Sequence, residues 1–232
     1  MGASGWELGC GAAGWPGSVA PVRHLPMYDI RVRTERLELR LPTLEELDQL
    51  ATLAAAGVHP PQLMPFAYPW TDRPSPQLER QMIQWHLLQI ANWSPADWSF
   101  NPVVLRDGQV IGTQGISAKQ FSVTRSFVTG SWLGRLHQGR GLGREMRAAV
   151  LHLGFAGLGA QSALSAAFAD NPASLGVSRS LGYRTNGELT VERRGLPARQ
   201  IHLRISREGW EQSDRPRVEL EGVESGAECF GA

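Results

Sequence analysis

From residue 36 onward the apolar positions change period several times. Arg36-Leu37-Glu38-Leu39-Arg40-Leu41 alternates polar with apolar, as a half-buried strand does. Thr43 follows with Glu45 and Glu46 behind it, which predicts a helix N-cap and an acidic first turn. That helix is expected to bury Leu44, Leu47, Leu50 and Leu53 and to end near Gly57. Prolines from Pro60 to Pro76 require a loop, and residues 77–92 read as a second helix closed by a turn at Ser94-Pro95. Residues 98–105 and 109–117 are strands joined by Arg106-Asp107-Gly108, a hairpin signal. Residues 126–133 make a third strand of this meander. Helical spacing returns over 142–155, with Leu142, Met146, Ala149, Val150 and Leu153 on one face. A strand of small residues (162–169), a helix (172–181) ending at Gly182, and two closing strands (183–193 and 199–204) complete the pattern. The order βααβββαβαββ predicts a mixed α/β sheet in one domain, residues 28–212.

The ends lack this periodicity. Residues 1–27 are rich in Gly, Ala and Pro and read as a flexible leader. Residues 213–232 read as a tail in which Val218, Leu220 and Val223 could add an edge strand.

Charge and cysteine content narrow the function. The 232 residues carry 23 basic and 22 acidic side chains, a net charge of +1, which gives no electrostatic case for nucleic acid or an anionic membrane as partner. Two cysteines, Cys10 and Cys229, cannot make a disulfide framework or a cysteine zinc site, and the histidines lack helical ligand spacing, so no metal is expected. No apolar run is long enough to span a bilayer, and the N-terminus lacks signal-peptide features. A reduced, cytoplasmic protein is the default expectation.

The informative junction is the strand ending Trp132-Leu133-Gly134, followed by Gln138-Gly139-Arg140-Gly141-Leu142-Gly143 at the start of a helix. An anion held at a helix N-terminus needs unpaired amide N–H groups and no side chains in the way. Three glycines remove three Cβ atoms there, and Arg140 and Arg144 add positive charge. A dinucleotide fingerprint fails, because Arg144 stands where its third glycine belongs and the loop follows a meander. A nucleotide P-loop fails at Gly143-Arg144-Glu145. The pyrophosphate of coenzyme A is the remaining reading, against a plain glycine turn with no ligand.

In these residues the chain resembles the GNAT acyltransferases, whose signature Gln/Arg-x-x-Gly-x-Gly/Ala is matched by residues 138–143. Thr34-Glu35-Arg36-Leu37-Glu38-Leu39-Arg40 is similar to the first strand of the RimJ/RimL-type branch. Asp170-Asn171-Pro172-Ala173-Ser174 with Leu181-Gly182-Tyr183 is similar to that branch's Asn-x-x-Ser and Leu-Gly-Phe segments. Met64-Pro65-Phe66, Pro69-Trp70-Thr71 and Asp97-Trp98-Ser99 resemble a subgroup with succinyl-CoA-dependent members.

The resemblance implies a mostly antiparallel sheet of about seven strands flanked by helices, with strands four and five splayed apart to admit the pantetheine arm. It implies acetyl-CoA or succinyl-CoA as donor and an amine, from a small molecule or a protein, as acceptor. A homo-oligomer is left open. The Leu133 amide would hold the thioester carbonyl, and Gln138, Gly139, Arg140, Gly141, Leu142, Gly143 and Arg144 the phosphates. Asn171 would contact pantetheine as well as cap its helix. Many relatives carry a tyrosine acid where Ser178 stands here, so Ser178 and Ser174 become the candidate hydroxyls near the sulfur. That departure also allows a catalytically silent CoA-binding module. No base is identified by spacing among Asp97, Asp170, His86 and His137, and Lys119 and Arg125 are the cations named for a succinyl carboxylate.

Overall fold

The computed structural model describes residues 22–232, and its strands join one sheet of ten. Strands β1 (Arg31–Arg33) and β2 (Glu38–Arg40) lead into helix α1 (Leu44–Ala55). The Thr43 Oγ1 accepts from the Glu46 N–H at 3.2 Å while the Glu46 carboxylate accepts from the Thr43 N–H at 2.9 Å, a complete capping box. Leu47, Leu50, Ala51 and Ala54 are the buried stripe. Leu44, expected inside, is 68% exposed, because it falls in the capped first turn ahead of the contact with the sheet. Helix α2 (Gln77–Ala91) packs on α1 and buries Leu78, Met82 and His86; burial pushes the His86 imidazole pKa down to about 4.

The expected strand at 98–105 divides into β3 (Asp97–Phe100) and β4 (Val103–Arg106). Both pair with the long β5 (Gln109–Lys119), but Pro102 has no N–H for the ladder. Its carbonyl instead accepts from Thr113 Oγ1 at 2.8 Å and the Gln114 N–H at 3.2 Å. After one turn of helix, α3 (Phe121–Thr124), comes β6 (Ser126–Leu133), then α4 (Leu142–His152), which widens into a π-type turn at Leu153–Gly157. Strand β7 (Ser162–Phe168), helix α5 (Pro172–Ser180), the hairpin β8 (Arg184–Arg193) and β9 (Leu196–Ser206), and α6 (Arg207–Glu211) follow. The chain closes with β10 (Glu219–Glu221) and α7 (Val223–Gly226).

Sheet order is β10-β1-β2-β4-β5-β6-β7-β9-β8, antiparallel except for β6 with β7. Ten strands replace the expected seven: β1 was not expected, β10 around Leu220 is the edge strand that the tail could add, and Pro102 makes two strands of one. Alternate residues of the central strands serve two cores. Val103 and Val110 face α1 and α2, whereas Val104 and Ile111 join the larger cluster with Met146, Val150 and Leu153.

The segment expected as a tail is packed. β10 pairs antiparallel with β1, and Phe230 is fully buried against Trp93, Trp98 and Phe100. The indole N–H groups of Trp93 and Trp98 donate to the carbonyls of Cys229 (2.7 Å) and Phe230 (2.9 Å). Most of the expected leader, including Cys10, Trp6 and Trp15, lies outside the described residues; Met27 at its end is buried in the core. Among the described residues no helix is long and apolar enough to cross a membrane.

The feature that positions the site is the one parallel pair. β6 and β7 are in register only from Ser126–Val128 against Ser162–Leu164. Beyond that β6 runs on to Leu133 and β7 to Phe168 without pairing with each other, so the two strands part toward the α4 end of the sheet.

Candidate functional site

The loop between β6 and α4 is held from behind and left open in front. The Gln138 side-chain amide donates to the carbonyls of Val58 (2.7 Å) and Leu133 (2.8 Å), so this residue ties the loop to the strand end and to the chain after α1. Gly139 (φ +72°) and Gly141 (φ +77°) both take the left-handed conformation, and Gly141 caps α4. A Cβ on Gly139 would meet nothing within 4 Å, and one on Gly141 would approach only an Arg36 nitrogen at 3.6 Å. Among the described residues, the amides of Gly139, Arg140, Gly141, Leu142 and Gly143 donate to no carbonyl or side chain. Five N–H groups at the positive end of a helix make a candidate anion cradle.

Two residues that buttress this cradle were not singled out in the sequence. Glu145 is buried in the first turn of α4, where its carboxylate accepts from Thr34 Oγ1 (2.6 Å), the Arg36 N–H (3.2 Å) and Arg36 Nε (2.7 Å). Arg36 Nη1 donates onward to the Arg140 carbonyl at 3.3 Å. The alternating pattern at 36–41 hid Arg36 as an outward strand residue; an acid in the first helical turn was the only signal for Glu145. Arg144 faces the C-terminal segment, donating to the Asp214 carbonyl at 2.7 Å. Arg140 is exposed beside the loop.

Leu133 stands where the sheet opens. Its register partner is Gly112 on β5, and the Gly134 N–H donates to the Ile111 carbonyl at 3.0 Å. The two-residue alternation of the antiparallel ladder therefore turns the amides of Ser131 and Leu133 away from β5, toward the gap.

Six polar side chains gather at that gap on the α4 side. Helix α4 is buried almost all round, so Arg147 has no solvent face to occupy and is itself buried. Its Nε donates to Gln114 Oε1 (3.2 Å), Nη1 to Ser165 Oγ (3.2 Å) and Nη2 to Ser131 Oγ (3.0 Å). The Tyr183 hydroxyl lies beside it and 3.4 Å from Thr129 Oγ1, which donates to the Leu164 carbonyl at 3.2 Å. Burial pushes the Arg147 guanidinium below and the Tyr183 phenol above their usual ranges, each charge partly offsetting the other's shift.

Helix α5 lines the far strand of the gap and touches the cradle: a Cβ on Gly143 would lie 3.7 Å from Val177 Cγ2. Asn171 caps α5, its Oδ1 accepting from the Ser174 N–H at 3.1 Å, with Pro172 at the first helical position. Ser174 is half-buried, and Ser178 is fully buried with no hydrogen-bond partner for its Oγ. An unsatisfied buried hydroxyl costs about 1–3 kcal/mol.

The other face of β6 carries an aromatic series. His59 and Phe66 (5.8 Å between ring centroids), Phe66 and Trp70 (5.0 Å), and Trp70 and Trp132 (5.7 Å) run from the proline-rich loop to the strand. The tip of the β8–β9 hairpin closes over this loop. Arg193 binds Asp170 through two nitrogens (2.8 and 2.7 Å) and the Met64 carbonyl (3.2 Å), and Arg194 grips Asp72.

The expected proton-transfer and carboxylate-binding residues scatter. Asp170 is taken by Arg193, which holds its carboxyl below the usual range. Asp97 pairs with Lys119 at 3.2 Å, and His86 is enclosed in α2. His137 adjoins the loop, with burial first and then the Arg140 and Arg106 charges lowering its pKa. Lys119 and Arg125 flank the start of β6, about 23 Å along the strand from Leu133 at a rise of about 3.3 Å per residue. Among the described residues there is no group of three or more metal-ligating side chains.

An open, mostly antiparallel sheet with one splayed parallel pair, and a glycine-rich helix start at the splay, is the architecture that the acyltransferase resemblance implies. Residues 36–184 match the family model for the acetyltransferase (GNAT) domain, and the chain belongs to that family. Solved structures agree in fold. A Mycobacterium smegmatis RimJ in complex with a CoA disulfide is 17% identical with a TM-score of 0.63, covering 81% of this chain and 92% of its own. A RimL ribosomal-protein alpha-N-acetyltransferase in complex with coenzyme A is 17% identical with a TM-score of 0.59, covering 75% and 95%. A spermidine N-acetyltransferase SpeG chimera from Vibrio cholerae and hSSAT is 16% identical with a TM-score of 0.60, covering 77% and 99%.

Proposed function

We propose that the protein is an acyl-CoA-dependent N-acyltransferase that moves an acetyl or succinyl group to an amine by direct attack. The observation that carries this reading is the cradle of five unpartnered amides at the mouth of the β6–β7 gap. Gly139 to Gly143 would take the pyrophosphate, with Arg140 and Arg144 adding charge and Gln138 fixing the loop. Arg36 and Glu145 hold the cradle's shape from behind.

The pantetheine arm would enter the gap and meet Asn171 and Ser174 on its far side. The Leu133 N–H, turned into the gap, would donate to the thioester oxygen and stabilise its negative charge as the amine nitrogen bonds to the carbonyl carbon. As the carbon–sulfur bond breaks, the thiolate needs a proton, and the attacking nitrogen must lose one. Ser178, whose hydroxyl has no partner, is the candidate donor toward the sulfur. Positioning supplies most of the rate enhancement in such a two-reactant step. The amine would approach past Trp132 and Trp70, as the aromatic series on that face supports. RimL and SpeG, named for a ribosomal protein's alpha-amine and for spermidine, are guides to the range of amines to try.

Ser178 also favours a second reading, a silent CoA-binding module, since a buried serine is a weak acid. Thiol release from acetyl-CoA and succinyl-CoA, measured against peptides with free N-termini, lysine, polyamines and aminoglycosides, separates the two. Release that depends on both the acyl-CoA and one class of amine is expected; CoA binding without release across the panel would establish the silent module.

A further inference from the structure

We propose that Arg147 is the cation that selects the donor, gripping the terminal carboxylate of a short dicarboxylic acyl group such as succinyl. The proposal rests on the acyl-CoA reading and deepens it.

Arg147 is buried at 4% exposure, and among the described residues no carboxylate lies within ion-pair distance of it. The acid nearest in sequence, Glu145, is already held by Arg36 and Thr34. Every partner of the guanidinium is neutral: Gln114, Ser131, Ser165 and Tyr183. A buried charge without a counter-ion is costly, and neutral hydrogen bonds recover only part of the lost hydration.

Its place is equally specific. Ser165 is the first residue of β7 beyond the last β6–β7 pair, and Ser131 lies three residues past the last paired residue of β6. The guanidinium therefore bridges the two strands where their backbones part, on the edge of the gap that admits the acyl arm. Nη1 and Nη2 both turn toward these strands, and the two nitrogens of one guanidinium match the two oxygens of one carboxylate. The Ser131 and Ser165 hydroxyls can rotate to donate to the same anion. A carboxylate brought in on the substrate would supply the missing charge, whereas an acetyl methyl group would leave the cation as it is.

A purely structural brace across the splay makes the same contacts, so the test reads selectivity. The full chain is titrated by calorimetry with CoA, acetyl-CoA and succinyl-CoA. Wild-type protein is expected to bind succinyl-CoA at least about tenfold more tightly than acetyl-CoA, as a desolvated charge pair allows. In Arg147→Gln the ratio should fall to about two or less, and in Arg147→Lys, which keeps the charge without the fork, to an intermediate value. A brace would weaken both esters alike and leave the ratio unchanged. A wild-type ratio near one overturns the proposal whether or not the variants fold. Failure of all three ligands to bind overturns the acyl-CoA reading itself, a result distinct from CoA binding without a preference.

Discussion

Gly141→Trp is expected to weaken CoA binding at least about a hundredfold, a loss of about 2.7 kcal/mol. Gly141 sits among the loop amides with a left-handed φ of +77°, and the one atom within 4 Å of a Cβ there is an Arg36 nitrogen at 3.6 Å, at the far end of a flexible side chain. An indole at this position displaces the Arg36 side chain and crowds the amides of residues 139–143, which should exclude a phosphate. The backbone strain of a non-glycine residue costs about 1–2 kcal/mol and has to be separated from the blockade. Gly141→Ala carries the same strain without the bulk, so it serves as the comparator. Calorimetric titration of both variants, with thermal melting to confirm folding, should show the alanine variant binding far better than the tryptophan variant. Equal CoA affinity in wild type and Gly141→Trp would sink the loop assignment.

The second large effect lies far from the cradle. Phe230→Ala is expected to destabilise the fold by about 3–5 kcal/mol, the usual cost of truncating a buried phenylalanine. The ring packs edge-on against Trp93 and Trp98, within 5.0 and 4.8 Å between centroids, and nothing else fills its place. The same short turn presents the carbonyls that receive both indole N–H groups, so its loosening would also leave two donors unsatisfied. Urea unfolding should show a lower midpoint at an unchanged slope. A loss below about 1 kcal/mol would mean that the C-terminal segment only rests on the surface.

That segment shows where sequence reading stopped. Beyond the alternation of Val218 and Leu220, residues 213–232 carry no helical or strand period, and Phe230 is an isolated aromatic between Cys229 and Gly231. Its burial depends on two tryptophans about 130 residues away, a relation no local pattern carries. By contrast, β6 and the starts of α2, α4 and α5 lie where glycine, proline and apolar spacing put them, because those signals act through the backbone of the same few residues. The loop was legible for that reason. Its supports were not, since Arg36 and Glu145 meet across 109 positions; nor was the burial of Arg147, which lies off the apolar face read for its helix. Ser178 was legible as a position and not as an environment, since nothing in its neighbours foretold a buried hydroxyl without a partner.

The account turns on where the donor's phosphates sit, and amide chemical shifts read that place directly. On adding CoA to the ¹⁵N-labelled protein, the resonances of Gly139, Arg140, Gly141, Leu142 and Gly143 should move together and saturate, with Leu133 moving as the arm enters the gap. A saturable response confined to other residues, with the five loop amides unmoved, would contradict it.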